Sequence, residues 1–267
     1  HDASIGYFSG WGTGLWIEIW IELFMLLGSI SFLIYAVIVG RKWERLRREE
    51  EAKWYLGIVI GAVLLVWAVV AFEGGQRGEE ALRGVVFTVI SIASTTGYAT
   101  VDYELWPVGG HFFLIGIMLI GGCAGSTAGG LKVSRLILIG RVAYHEIVRA
   151  FRPNQVFRVQ VNGNPIEEEA RGQAVLFVTL FSLLALLAMV LVSLLEMRHG
   201  ADFESTVATV LATFGNIGPG FGSVGPSDNF SHLRPGTLGF LSLLMIMGRL
   251  ELYAILVLFV PSAWRKY

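Results

Sequence analysis

The chain is 267 residues long, 54% hydrophobic and 15% charged, with a formal net charge of −1. A soluble domain carries nearer ~25% charged residues. These proportions, with a mean hydropathy of +0.64, exclude a soluble domain and describe an integral membrane protein. The single cysteine, Cys123, excludes an intrachain disulfide.

The chain opens on His1-Asp2-Ala3-Ser4, a polar start that reads as the interior of a longer polypeptide. Apolar stretches of about 20 residues mark spanning helices. The expected spans are residues 15–40, 54–72, an interrupted one from 109 past 141, 173–195 and 236–264. Two segments, residues 79–93 and 202–214, are too short and too mixed to cross, and read as re-entrant half-helices. Each runs into a glycine-bearing bend, Ser94-Thr95-Thr96-Gly97-Tyr98-Ala99-Thr100 in one case and Gly215-Asn216-Ile217-Gly218-Pro219-Gly220-Phe221-Gly222 in the other. Between the spans, residues 156–161 alternate and lead into Asn162-Gly163, the signature of a hairpin turn because both turn positions take positive φ. A small hairpin ending near Ile166 is expected there.

Charge orients the spans. Arg41, Lys42, Arg45, Arg47, Arg48 and Lys53 crowd one connection, Arg141, Arg149, Arg152, Arg158 and Arg171 another, and Arg265 and Lys266 close the chain. The positive-inside rule makes these regions, the hairpin and the C-terminus cytoplasmic. The opposite connections carry Glu73, Glu79, Glu80, Asp102, Glu104, Glu196, Asp202 and Glu204, so both half-helices enter from outside.

The pattern repeats in one orientation, since Gly97 and Gly218 lie 121 positions apart and the preceding helices start at a similar offset. Parallel repeats imply pseudo-rotational symmetry about the membrane normal. The expected fold is an all-α membrane protein of outer helix–pore loop–inner helix units with a small cytoplasmic β-hairpin. Residues 1–53 form the tail of one unit, its inner helix and cytoplasmic linker. Residues 54–166 form the next, with pore loop 79–101, broken inner helix 109–152 and hairpin 156–166. Residues 167–267 form the last, with pore loop 202–225 and inner helix 236–264.

Non-helical backbone at membrane depth exposes carbonyls that lipid cannot satisfy, so the two bends are expected to line a wet path. Thr95-Thr96-Gly97-Tyr98-Ala99 resembles the Thr-Val-Gly-Tyr-Gly filter of potassium channels, in which carbonyls replace an ion's water shell. The negative C-terminal end of each half-helix favours a cation. Further along, Gly121, Gly122, Gly125, Gly129 and Gly130 crowd a membrane-depth stretch with Ser126, Thr127 and Lys132. Glycine costs a helix about 1 kcal/mol per residue against alanine, which favours an unwound loop over close helix packing. Arg249, near the middle of the expected last helix, is too costly to face lipid and is expected to face the conduction path. Glu18 and Glu22 share a helix face and suit an interface. The histidines show no metal spacing, no nucleophile–base pair is visible, and the short juxtamembrane basic clusters give nucleic-acid binding no support.

The motifs at Thr95–Tyr98, residues 121–132, Asn216-Ile217-Gly218-Pro219-Gly220 and Gly248-Arg249-Leu250-Glu251, with Pro261 and Trp264, resemble the Trk/Ktr/HKT superfamily of potassium transporters, in particular the bacterial Trk membrane subunits. Members carry four such units around one pore, and this chain matches the C-terminal part. The resemblance implies K⁺ as the transported ion with no organic cofactor, and transport rather than enzymatic activity. Backbone carbonyls at Thr95, Thr96, Gly97, Tyr98, Asn216, Ile217 and Gly218 would bind K⁺. Gly121, Gly122, Gly125, Ser126, Thr127, Gly129, Gly130 and Lys132 would form an intramembrane gate faced by Arg249. It also implies a multi-pass protein of the bacterial plasma membrane, a homodimer, and a cytosolic nucleotide-binding regulatory subunit docking on the basic loops and hairpin. Ala99 departs from the channel glycine. The alternative is a secondary transporter of another solute with broken helices, which inverted rather than parallel repeats would signal.

Overall fold

The computed structural model describes residues 14–75, 78–152, 160–162, 164–197 and 202–250, together with Val257 and Trp264. The helices among them are α1 (Gly14–Ser29), α2 (Phe32–Val39), α3 (Trp43–Arg48), α4 (Glu51–Phe72), α5 (Glu79–Ala93), α6 (Val108–Leu119), α7 (Val133–Phe151), α8 (Glu168–Glu196), α9 (Phe203–Phe214) and α10 (Pro235–Arg249). Expected features at residues 1–13, Arg158, Gly163, His199, Glu251, Pro261, Arg265 and Lys266 lie outside the described residues.

Length sorts the helices. At ~1.5 Å per residue α4 reaches about 33 Å and α8 about 44 Å, enough to cross a hydrocarbon core of about 30 Å. Each contains an 18-residue apolar window that is mostly unburied within the chain, which lipid rather than water accommodates. The half-helices α5 and α9 reach only about 22 Å and 18 Å. Their bodies are buried nearly all round, including Val85, Phe87 and Val89 of α5 and Ala208, Val210, Ala212 and Phe214 of α9. A helix buried on every face is a central one.

The order long helix, half-helix, bend, helix occurs twice, as α4–α5–bend–α6 and as α8–α9–bend–α10. The first group packs Tyr55, Val59, Val66 and Val70 of α4 with Leu114 and Met118 of α6 around α5. The second packs Phe177 and Phe181 of α8 with Leu241, Leu244 and Met247 of α10 around Val210 and Phe214. There the Phe181 and Phe214 rings stack at 4.2 Å. Residues from α9 and its bend, Ala208, Leu211, Ile217 and Phe221, also enter the first core, so the two groups share an interior. Glu18 of α1 forms a 2.8 Å ion pair with Arg83 of α5.

Two spans differ from expectation. Residues 15–40 are not one helix, because α1 and α2 meet at a 94° bend. The break has a tertiary cause. The Gly28 carbonyl accepts from Thr127 N–H and Oγ1, and the Ser29 carbonyl accepts from Cys123 N–H at 2.9 Å. The Phe32 amide donates to the Gly125 carbonyl at 3.1 Å. Two interrupted segments thus satisfy each other's freed backbone groups, as the membrane interior demands. The second difference is Arg249, which ends α10 rather than standing inside a longer helix, with Leu250 as C-cap. A cation there meets the negative end of the helix dipole.

The strands β1 (Gln160–Val161) and β2 (Asn164–Pro165) pair antiparallel, Gln160 opposite Pro165 and Val161 opposite Asn164. Asn162 takes φ of +54° in the turn.

Candidate functional site

Each half-helix ends in the same hydrogen-bond ladder. After α5, the amides of Ser94, Thr95, Thr96 and Gly97 donate back to the carbonyls of Ile90, Ile92, Ser91 and Ser91. After α9, the amides of Gly215, Asn216, Ile217 and Gly218 donate to Leu211, Thr213, Ala212 and Ala212. Every donor and acceptor is shifted by 121 positions, and the distances agree closely. They are 2.9, 3.0, 3.0 and 3.4 Å in the first ladder and 2.8, 3.1, 2.8 and 3.4 Å in the second.

This geometry follows from sign changes in φ. Thr95 and Asn216 lie at +55° and +57°, and Gly97 and Gly218 at +76° and +114°. Asn tolerates the left-handed region and Gly prefers it, whereas a β-branched Thr there is strained. With the amides turned back onto the helix end, the carbonyls of Thr95, Thr96, Asn216 and Ile217 accept no hydrogen bond among the described residues. The bends therefore present acceptors without donors, the chemistry a desolvated cation requires.

The bends also touch. A Cβ added at Gly97 would fall 1.9 Å from the Ile217 carbonyl oxygen and 2.8 Å from Pro219, so only glycine fits against the second bend. Tyr98 follows, partly exposed, and the next residue, Ala99, is buried.

Residues 120–132, between α6 and α7, are not helical. Ile120 bridges Leu131, with Gly121 N–H donating to the Leu131 carbonyl at 2.7 Å. Gly122 and Gly125 lie against the α1–α2 break, within reach of Ser29 O and Ser31 Oγ. Ser126 Oγ donates to the Cys123 carbonyl at 2.6 Å, Thr127 is held by the Gly28 carbonyl, and Lys132 Nζ donates to the Ala128 carbonyl. The loop is fastened to both bends. Gly129 N–H donates to Thr95 Oγ1 at 2.8 Å, and a Cβ on Gly129 would lie 2.5 Å from the Gly215 carbonyl. Gly121 and Gly130 face one another across the loop. Its glycines thus serve unwinding and close packing together.

On the far side of α9, Gly248 abuts the Phe214 carbonyl, and Asn216 Nδ2 donates to the Met245 carbonyl at 3.0 Å. Thr95 and Asn216, equivalent in the two bends, each tie their bend to the chain that follows. Arg249 is exposed, and among the described residues no hydrogen bond or ion pair joins it to residues 120–132. The structure does not bring Arg249 to the loop it was expected to face.

Some participants carry no sequence motif. Glu51, buried at the start of α4, accepts from Ala124 N–H at 2.6 Å and Ser134 N–H at 3.0 Å. Glu196, buried at the end of α8, accepts from Arg234 N–H at 3.0 Å and from the Thr237 hydroxyl. At the opposite end of the bends, Tyr103 Oη donates to the Gly220 carbonyl at 2.9 Å, and its ring meets Phe221 at 5.3 Å. His111 bonds the Tyr103 carbonyl and lies 3.4 Å from Glu204. Burial, followed by the neighbouring Asp102 charge, pushes the Glu104 carboxyl above its usual range. Among the described residues no cluster of His, Cys, Asp and Glu is arranged to hold a metal ion.

Two helices of membrane-spanning length, each followed by a buried half-helix and a bend with unpaired carbonyls, describe a mostly helical membrane protein built from repeated units. The chain belongs to the TrkH family of cation transport proteins, which matches residues 1–266. It is 32% identical to the Trk system potassium uptake protein TrkH of Salmonella typhimurium, over 100% of this chain and 53% of that protein. It is 30% identical to the Trk system potassium uptake protein TrkG of Escherichia coli K12, again over 100% of this chain and 53% of the relative. The crystal structure of the potassium transporter TrkH from Vibrio parahaemolyticus superimposes with a TM-score of 0.86 at 27% identity, covering 99% of this chain and 55% of that one. The chain spans about half the length of the curated relatives it matches.

Proposed function

We infer that this chain is part of a potassium-uptake protein of a bacterial plasma membrane, and that it supplies two sectors of the selectivity filter. The observation that carries this reading is the pair of matching hydrogen-bond ladders. Carbonyls of Thr95, Thr96, Gly97 and Tyr98, with those of Asn216, Ile217 and Gly218, replace water around K⁺. The amides of Thr95, Thr96, Gly97, Asn216, Ile217 and Gly218 are anchored to the ends of α5 and α9, which holds these carbonyls in position. The negative ends of both half-helices add an attraction for cations.

Residues 54–166 and 167–267 act as successive pore units, and residues 1–53 as the tail of an earlier one. The loop of Gly121, Gly122, Gly125, Ser126, Thr127, Gly129, Gly130 and Lys132 is the intramembrane gate. Arg249, exposed at the end of α10, faces this gate from the last unit. The basic connections, the hairpin and the C-terminus face the cytoplasm and receive a nucleotide-binding regulatory subunit, and the full-length protein works as a homodimer. The names of the relatives, all Trk potassium uptake proteins, support this choice of ion and process.

Rubidium uptake by the full-length protein in cells lacking potassium uptake, with sodium as competitor, tests the reading. Saturable uptake that resists sodium is expected, together with its loss in Gly97→Ser. Strong selective uptake persisting in that variant would overturn the filter assignment.

A further inference from the structure

Three consecutive acids before and at the start of α4 each hold a different element. Glu49 Oε2 accepts from Asn162 Nδ2 at 3.3 Å, and the Glu50 amide donates to Asn162 Oδ1 at 2.9 Å. The Glu50 carboxylate pairs with Arg141 of α7 at 2.5 Å, and Arg141 also donates to the Gln160 carbonyl of the hairpin. Glu51 Oε1 accepts the amides of Ala124, in the unwound loop, and Ser134, in the first turn of α7. A single carboxylate oxygen therefore joins the interior of the loop, at Ala124, to the start of α7, at Ser134, while the two residues before it grip the turn of the hairpin.

We propose that Glu51 is the positioning residue that holds the intramembrane loop, and that the Glu49–Glu51 triplet makes this hold responsive to the cytoplasmic hairpin. This rests on reading the loop as a gate. The physical basis is local. Among the described residues the Ala124 and Ser134 amides have no other acceptor, and both residues are half-buried, so releasing them costs two protein hydrogen bonds where water has limited access. A shift of Asn162 pulls on the Glu50 amide one residue away, and the chain from Glu50 to Glu51 is too short to absorb it. The hairpin thus has a mechanical route to the loop that bypasses α7.

Cys123, fully buried and beside Ala124, reports the loop's position independently of transport. In membranes containing the full-length protein, its labelling by a small methanethiosulfonate is followed by peptide mass spectrometry. Glu51→Ala is expected to speed labelling roughly tenfold or more, the size set by removing the shared acceptor of two half-buried amides. Maximal rubidium uptake changes several-fold while KM stays fixed, because the filter is untouched. Glu51→Gln, whose amide oxygen still accepts both bonds, restores both readouts. Asn162→Ala raises labelling less and adds nothing in the Glu51→Ala background. Unchanged Cys123 labelling in Glu51→Ala would overturn the proposal, as would an independent, additive effect of Asn162→Ala. If Glu51→Ala does not fold, Asn162→Ala alone decides, since unaltered labelling there removes the link to the hairpin. Wild-type protein that takes up no rubidium defeats the gate reading instead, and leaves the labelling result to judge the clamp by itself.

Discussion

Thr95 Oγ1 accepts a hydrogen bond from the Gly129 amide at 2.8 Å, so the first carbonyl-bearing bend and the unwound loop are joined by one side chain. The residue that supplies this bond is the strained one, a β-branched side chain at φ of +55°. Strain of this kind persists only where the surroundings over-determine it, and here the backbone ladder and the Gly129 bond do so together.

Replacing Thr95 by Val keeps the shape and removes the acceptor. The buried Gly129 amide then lacks a partner, a cost of about 1–3 kcal/mol. Maximal rubidium uptake by the full-length protein is expected to fall roughly tenfold, with Thr95→Ser retaining most of it. Equal loss in both variants would show that the hydroxyl is not what matters.

Glycines along the chain separate into two kinds. Gly97 has no room for a Cβ, whereas Gly57, in α4, has nothing within 4 Å of that position. Gly97→Ala is expected to abolish discrimination against sodium in uptake assays. Gly57→Ala is expected to leave uptake intact and to raise thermal stability in detergent by about 1 kcal/mol, the helix-propensity gain.

The partly buried ion pair between Glu18 and Arg83 braces α5 from the side of α1. A charge reversal at either residue is expected to lower stability, and the double reversal, Glu18→Arg with Arg83→Glu, to recover most of it. Arg83 is a third exposed, so the coupling in a double-mutant cycle is expected near the ~1 kcal/mol of solvent-screened pairs.

How far sequence reaches is clear from particular residues. The spans α4 and α8 are legible because lipid solvation demands unbroken apolar runs. The unwound loop is legible because five glycines and two hydroxyl residues between Gly121 and Gly130 disfavour helix. The 94° break after Ser29 is not. Gly28-Ser29-Ile30-Ser31 is compatible with a membrane helix, and the bend depends on amides from Cys123 and Thr127, some hundred residues away. Glu51 is hidden for the same reason. It lies within a charged connection where local sequence suggests solvent, while its partners, Ala124 and Ser134, are supplied by tertiary packing. The exposure of Arg249 follows from where α10 closes, which helical periodicity does not encode.

Protonation of Glu104 supplies a pH test. Burial and the Asp102 charge raise its folded pKa above the unfolded value, so the ionised carboxyl opposes folding. Stability from this residue therefore increases as pH falls from neutral through the raised folded pKa, and levels off near the unfolded value of ~4.3. Thermal melts of detergent-solubilised protein over that window are expected to rise more steeply for wild type than for Glu104→Gln. Parallel curves would remove Glu104 as the cause.

The most direct measurement is anomalous diffraction from crystals of the full-length protein soaked in rubidium. Peaks are expected on the axis shared by the two bends, within coordination distance of the carbonyl oxygens of Thr95, Thr96, Asn216 and Ile217. Rubidium bound elsewhere in the membrane region, with those four carbonyls facing lipid or protein donors, would contradict it.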